Sequence, residues 1–106
     1  MPRNKPADRR KSYNLPITFL SSSGKEIKLQ ITIGYGPSNT ILEVFCADFK
    51  AGSDNHALVM DACILLSRLL QHGDTPEELV KAMCTPPSLI GAICTAILKE
   101  QQHAHV

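Results

Sequence analysis

The segment Lys50-Ala51-Gly52-Ser53-Asp54 brings together a mobile cation, a glycine that admits unusual backbone angles, a hydroxyl and an acid. A helix opening behind it would aim its first-turn amides at this spot, an arrangement that holds a phosphate or another anion. The same residues also make an ordinary capped strand-to-helix turn, in which Asp54 answers the helix dipole and competes with an incoming anion. The spacing is not that of a Walker loop. A second stretch with affinity for polyanions is the N-terminus. Arg3, Lys5, Arg9, Arg10 and Lys11 stand against one acid, Asp8, so residues 1–13 carry a net +4 while the remainder carries −3. Such an arm binds phosphates by releasing their condensed counterions, or merely keeps a chain soluble.

Five further side chains are chemically conspicuous. His56 falls in the first turn after the glycine turn, but a general base needs a partner and a pocket, and a solvent-facing histidine is the simpler reading. Asp61 interrupts a strongly apolar run, and Arg68 follows seven residues later. On a helix the two share one strip about two turns long. In a symmetric dimer with antiparallel helices, Asp61 of one chain meets Arg68 of the other; otherwise they are two independent surface charges. His103 and His105 can hold a metal only loosely and read as solvated. None of the common nucleophile, zinc, dinucleotide or paired-carboxylate signatures is present, so neither catalysis nor a metal or other cofactor is expected.

These residues need elements to position them. Leu15, Ile17 and Phe19 alternate with Pro16, Thr18 and Leu20, which predicts a short strand with Pro16 at its start or on a sheet edge. After Ser21-Ser22-Ser23-Gly24, the residues Ile27, Leu29, Ile31 and Ile33 alternate with polar ones in strict period two, the clearest strand of the chain. A turn over 34–39 leads to a third, more apolar strand over 41–47. The period then changes. Residues 54–72 predict a long helix capped by Ser53 and stopped by Gly73, apolar around most of its circumference. Thr75, Pro76 and Glu78 open a second helix with a capping box, and Pro86-Pro87-Ser88 separates it from a third over about 88–100. The expectation is an α+β domain, a three-stranded antiparallel meander followed by three helices packed on one face. Residues 1–12 read as a disordered basic arm, 13–100 as a single domain and 101–106 as a frayed tail. One small sheet leaves much of the long helix uncovered, so a homodimer is expected.

At 106 residues there is room for one core, and 43% apolar with 20% charged residues argues against global disorder. Cys46, Cys63, Cys84 and Cys94 are too widely spaced for a zinc site and read as structural thiols of a reduced, cytoplasmic protein. No signal peptide or membrane span is expected.

Taken as a set, Glu43-Val44-Phe45, Lys50-Ala51-Gly52-Ser53, Leu69-Leu70-Gln71-His72-Gly73 and Pro87-Ser88-Leu89-Ile90-Gly91-Ala92 have a familiar look. Over roughly residues 9–100 the chain resembles the TSCPD-type domain at the C-terminus of vitamin-B12-dependent ribonucleotide reductases, in the short stand-alone form found in bacteria. The reductase form ends in a cysteine pair suited to thiol exchange or metal binding. Here Pro87-Ser88-Leu89 stands in the related segment and no such pair follows, so the resemblance implies a binding or regulatory module rather than a redox relay. It also makes the Lys-Ala-Gly-Ser turn the natural functional edge, which strengthens Lys50, Gly52 and Ser53 as phosphate ligands. The function expected is thus a non-catalytic module contacting nucleic acid or nucleotide through turn and arm. The alternative is a protein–protein adaptor or inhibitor acting on a ribonucleotide reductase or another enzyme. A small enzyme using His56 or Asp61 is the least favoured reading.

Overall fold

The computed structural model describes residues 12–21, 23–37, 39–49 and 53–104. The alternating segments form β1 (Ser12–Leu20), β2 (Glu26–Tyr35) and β3 (Ile41–Phe49), and the helical ones α1 (Ser53–Gln71), α2 (Pro76–Ala82) and α3 (Leu89–Ala104). The strands pair antiparallel in the order β1-β2-β3, so β2 is central and β1 and β3 are edges. This is the three-stranded meander with three following helices that the sequence predicts.

Register follows the pleat. Leu15 faces Ile31 and Ile17 faces Leu29 across β1 and β2, and Ile33 faces Val44 across β2 and β3. These residues point to one side, where they pack with Val59, Cys63, Leu66 and Leu70 of α1, Leu79 of α2, and Ile93, Cys94 and Ile97 of α3. The opposite sheet face is mixed, with Leu20 and Phe45 exposed among polar residues. On it Thr32 donates to Asn14 at 2.8 Å and Lys28 lies 3.4 Å from Glu26. Two register shifts leave Leu42 and Ala47 of β3 without opposite numbers on β2. The first lets Ile41 and Leu42, consecutive residues, both be buried. Leu42 then lies directly over Gly36, where a Cβ would overlap its Cδ1 and Cγ.

The stop of α1 and the start of α2 are built as the sequence predicts. Gly73, at φ +114°, donates to Leu70 O at 3.2 Å while Asp74 N donates to Leu69 O at 3.1 Å, the paired bonds of a Schellman stop. Thr75 accepts from Glu78 N at 3.2 Å and Glu78 accepts from Thr75 N at 3.1 Å, closing the capping box ahead of Pro76. Ser88 caps α3, its Oγ accepting from Gly91 N at 3.2 Å. α3 corrects one expectation. The chain does not fray from residue 101, because Gln101 is buried and the helix continues to Ala104. Gln101 Oε1 accepts from Ile41 N and its Nε2 donates to Asn39 O, both at 2.8 Å, so this turn of helix is held to the start of β3. The strand β1 likewise begins earlier than the apolar alternation suggests, at Ser12.

Candidate functional site

The long helix α1 is the element that carries most of the candidate residues, and its seat is set by polar groups as much as by apolar ones. Ser67, buried, accepts from Val44 N at 2.9 Å and donates to Val44 O at 3.0 Å. One turn on, Gln71 Nε2 donates to Leu42 O at 3.0 Å. In an antiparallel strand the N–H and C=O of one residue point to the same side. Val44 therefore turns both groups away from β2, toward the free edge of the sheet, and α1 answers them. With Gln101 on Ile41 N, helix side chains occupy the ladder positions that a further strand would take, which closes the β3 edge to pairing.

Fixing that side of α1 inward leaves the other outward. Between Ala57 and Leu69 the outer face exposes Leu58, Met60, Ile64, Leu65 and Leu69, with Leu58 and Leu65 each 62% exposed. Among its described side chains, Asp61 and Arg68 carry the charge, both exposed. The two residues expected to share a strip do so. His56 is half-buried in the first turns of the helix. Five residues separate it from Asp61, which turns the two side chains about 140° apart around the helix axis. The arrangement does not assemble an acid–base pair from them.

Two grooves lie elsewhere. One, of about 510 Å³, runs between the β1 edge (Leu15 to Thr18) and the face of α3 bearing Ala92, Ala96 and Lys99. The other, of about 400 Å³, lies between the start of α2 and Leu98 and Gln102 of α3. Neither is lined by His56 or Asp61. The first was not singled out from sequence. Its signal there is the pair Ala92 and Ala96, small residues one helical turn apart that leave room beside the strand.

The cysteines are all thiols, not disulfides. Burial pushes Cys63 up to about 12, with the neighbouring Cys46 and Cys94 adding to the rise. Burial likewise raises Cys94 to about 11, against a small opposing effect of a backbone hydrogen bond. Neither offers a thiolate for exchange chemistry at neutral pH. Cys84 is exposed. Among the described residues no group of three or more His, Cys, Asp or Glu side chains is placed to hold a metal ion, and no helix is long and apolar enough to cross a membrane.

Of the anion-site residues, Ser53 is the first residue of α1, one position ahead of the expected start at 54, and its side chain lies outside the described residues. Lys50 and Gly52 lie outside the described residues, as do Arg3, Lys5, Arg9, Arg10 and Lys11 of the arm. His105 and the side chain of His103 also fall outside them. Compared with known protein families, characterised proteins and solved structures, the chain matches none.

Proposed function

We propose that this chain is a non-catalytic binding module that works as a homodimer and takes phosphate groups of nucleic acid or nucleotide. The arm Arg3, Lys5, Arg9, Arg10 and Lys11 supplies long-range attraction. Lys50, Gly52 and the start of α1 at Ser53 supply charge and amide donors at short range. The observation that carries the reading is the charge separation, +4 on residues 1–13 against −3 on the rest, which gives a nearly neutral protein a cationic arm on an acidic body. No base-specific contact is implied, because phosphate contacts position without reading sequence.

A salt titration tests this. If the five arm cations each meet a phosphate of duplex DNA, log affinity falls with log salt at a slope of about −4.5 per arm. Deleting residues 1–11 should flatten that slope, and Lys50→Glu should weaken binding without altering the fold. Absence of detectable binding to DNA, RNA or nucleotide at low salt overturns the reading.

The apolar outer face of α1 favours a second one, an adaptor or inhibitor that docks this helix on a ribonucleotide reductase or another enzyme. A chain that is monomeric alone and forms a nuclease-resistant, stoichiometric complex with one protein would establish it in place of the first.

A further inference from the structure

We infer that the outer face of α1 is a two-fold interface, on which a second copy of this chain docks antiparallel about an axis passing between Ile64 and Leu65. This gives a geometry to the dimer named above and rests on that part of the proposal alone.

The first ground is the apolar load of the face. Leu58, Ile64, Leu65 and Leu69 stand 62%, 54%, 62% and 44% exposed along one helix. A row of this kind on a helix already seated on its own sheet is an interaction surface rather than scattered surface leucines.

The second ground is self-complementarity. An isologous interface requires each residue to meet a suitable partner when the face is rotated onto itself. In the antiparallel register centred between residues 64 and 65, Asp61 of one copy comes level with Arg68 of the other, and the pair occurs twice. Leu65 and its copy then lie within one residue's rise, about 1.5 Å, of level, Ile64 and its copy likewise, and Leu58 within two residues of Leu69. The charge match and the apolar match therefore fall in the same register. Heptad spacing keeps Asp61 and Arg68 within about 20° of one another around the helix, so both lie in the seam. The parallel alternative sets Asp61 against Asp61 and Arg68 against Arg68, and like charges at close quarters oppose docking. A register shifted by one turn separates the charges from each other, setting Asp61 level with Ile64 and Arg68 with Ala57 in one direction, or Asp61 with His72 and Arg68 with Leu65 in the other.

The test uses the full-length chain and sedimentation equilibrium or mass photometry at micromolar concentration. The wild type should have twice the chain mass. Asp61→Arg and Arg68→Asp should each raise the dimer dissociation constant by about a hundred-fold or more, since two attractive contacts become two repulsive ones. The double variant D61R/R68D should dimerise again. So should an equimolar mixture of the two single variants, in which every seam contact is Arg against Asp. Leu65→Glu provides a break that does not depend on the ion pair, and melting curves show that each variant is folded. A monomeric wild type, single variants that stay dimeric, or a double variant that stays monomeric overturns the inference. Phosphate binding by a monomeric variant, measured in parallel, keeps the two proposals apart. A dimer that binds no nucleic acid removes only the phosphate reading, a dimer unmoved by the charge reversals removes only this one, and a monomer that binds nucleic acid removes the dimer while leaving the phosphate reading.

Discussion

Removing one hydroxyl from α1 should cost this domain a large part of its stability. Ser67 Oγ is the partner of both Val44 N and Val44 O, at 2.9 and 3.0 Å, and Val44 is fully buried. Ser67→Ala leaves both backbone groups without that partner, in a place where the helix keeps water out. Each stranded buried group costs about 1–3 kcal/mol, so the pair amounts to roughly 2–4 kcal/mol after partial relief by local adjustment. Marginal stability makes that a substantial fraction of the whole. For a domain of this size the melting temperature should fall by roughly 10–25 °C. Chemical denaturation gives the free energy, and amide exchange followed by NMR gives the location. In the wild type the Val44 amide should exchange slowly although it faces the free edge of a sheet. In Ser67→Ala it should lose protection by more than the amides of Ile31 and Ile33 on the central strand. A loss of stability under about 0.5 kcal/mol, the ordinary scale of a surface substitution, would refute the argument. So would a wild-type Val44 amide that exchanges as fast as an open edge.

Other consequences can be checked with simpler measurements. Gly73→Ala places a side chain at φ +114° in the Schellman stop, so it should destabilise by about 1 kcal/mol in a urea melt even though open space surrounds the position. Because Cys63 and Cys94 are held as neutral thiols up to about 12 and 11, above their ordinary value near 9, the unfolded chain binds fewer protons than the folded one over the interval between. Folding stability should therefore be intact below pH 9 and decline above it, by about 1.4 kcal/mol per pH unit for each thiol, and C63A/C94A should flatten that decline. In the folded protein at pH 8, alkylation should label exposed Cys84 well before either of them, as read by mass spectrometry. Finally, the antiparallel register sets the two Ser53 positions roughly 35 Å apart along the helix pair at the usual rise per residue. That is close to the ~34–36 Å helical repeat of duplex DNA. Duplexes longer than one repeat should bind the dimer more tightly than shorter ones by anisotropy, and the monomeric Asp61→Arg variant should not discriminate between them.

How much of this is legible in the sequence depends on whether the signal is local. Caps and turns are local chemistry, so Thr75, Pro76, Glu78 and Gly73 can be read directly, and each does in the fold what its type suggests. The strands are legible because one face of each is buried, which writes a period of two into β2. The extension of α3 past residue 100 is not legible. Its cause is Gln101 binding Asn39 and Ile41, 62 and 60 positions earlier, and nothing near residue 101 announces it. The double burial of Ile41 and Leu42 is hidden for the same reason, since the bulge that permits it is a property of the pairing with β2. For the candidate site, the shared strip of Asp61 and Arg68 follows from helical spacing alone, whereas the groove beside β1 depends on how α3 is laid against the strand.

The unusual pattern of α1 has two physical origins, one for each side of the helix. A helix on a sheet ordinarily turns its apolar stripe inward and its polar residues to water. Here the inward side must also cover an edge strand, and an edge strand presents N–H and C=O groups that hydrocarbon cannot satisfy. Ser67 and Gln71 are therefore spent on the inside, against Val44 and Leu42, beside Val59, Cys63, Leu66 and Leu70. The outside keeps Leu58, Ile64, Leu65 and Leu69, broken by one acid and one base. Closing the β3 edge from within accounts for the polar residues inside but does not require leucines outside; lysine or glutamate would serve the helix as well. Apolar residues at those positions in a monomer add only a tendency to aggregate. They become useful when the outer face has a partner of its own, and one acid and one base seven residues apart within that face, Asp61 and Arg68, fit a partner identical to itself.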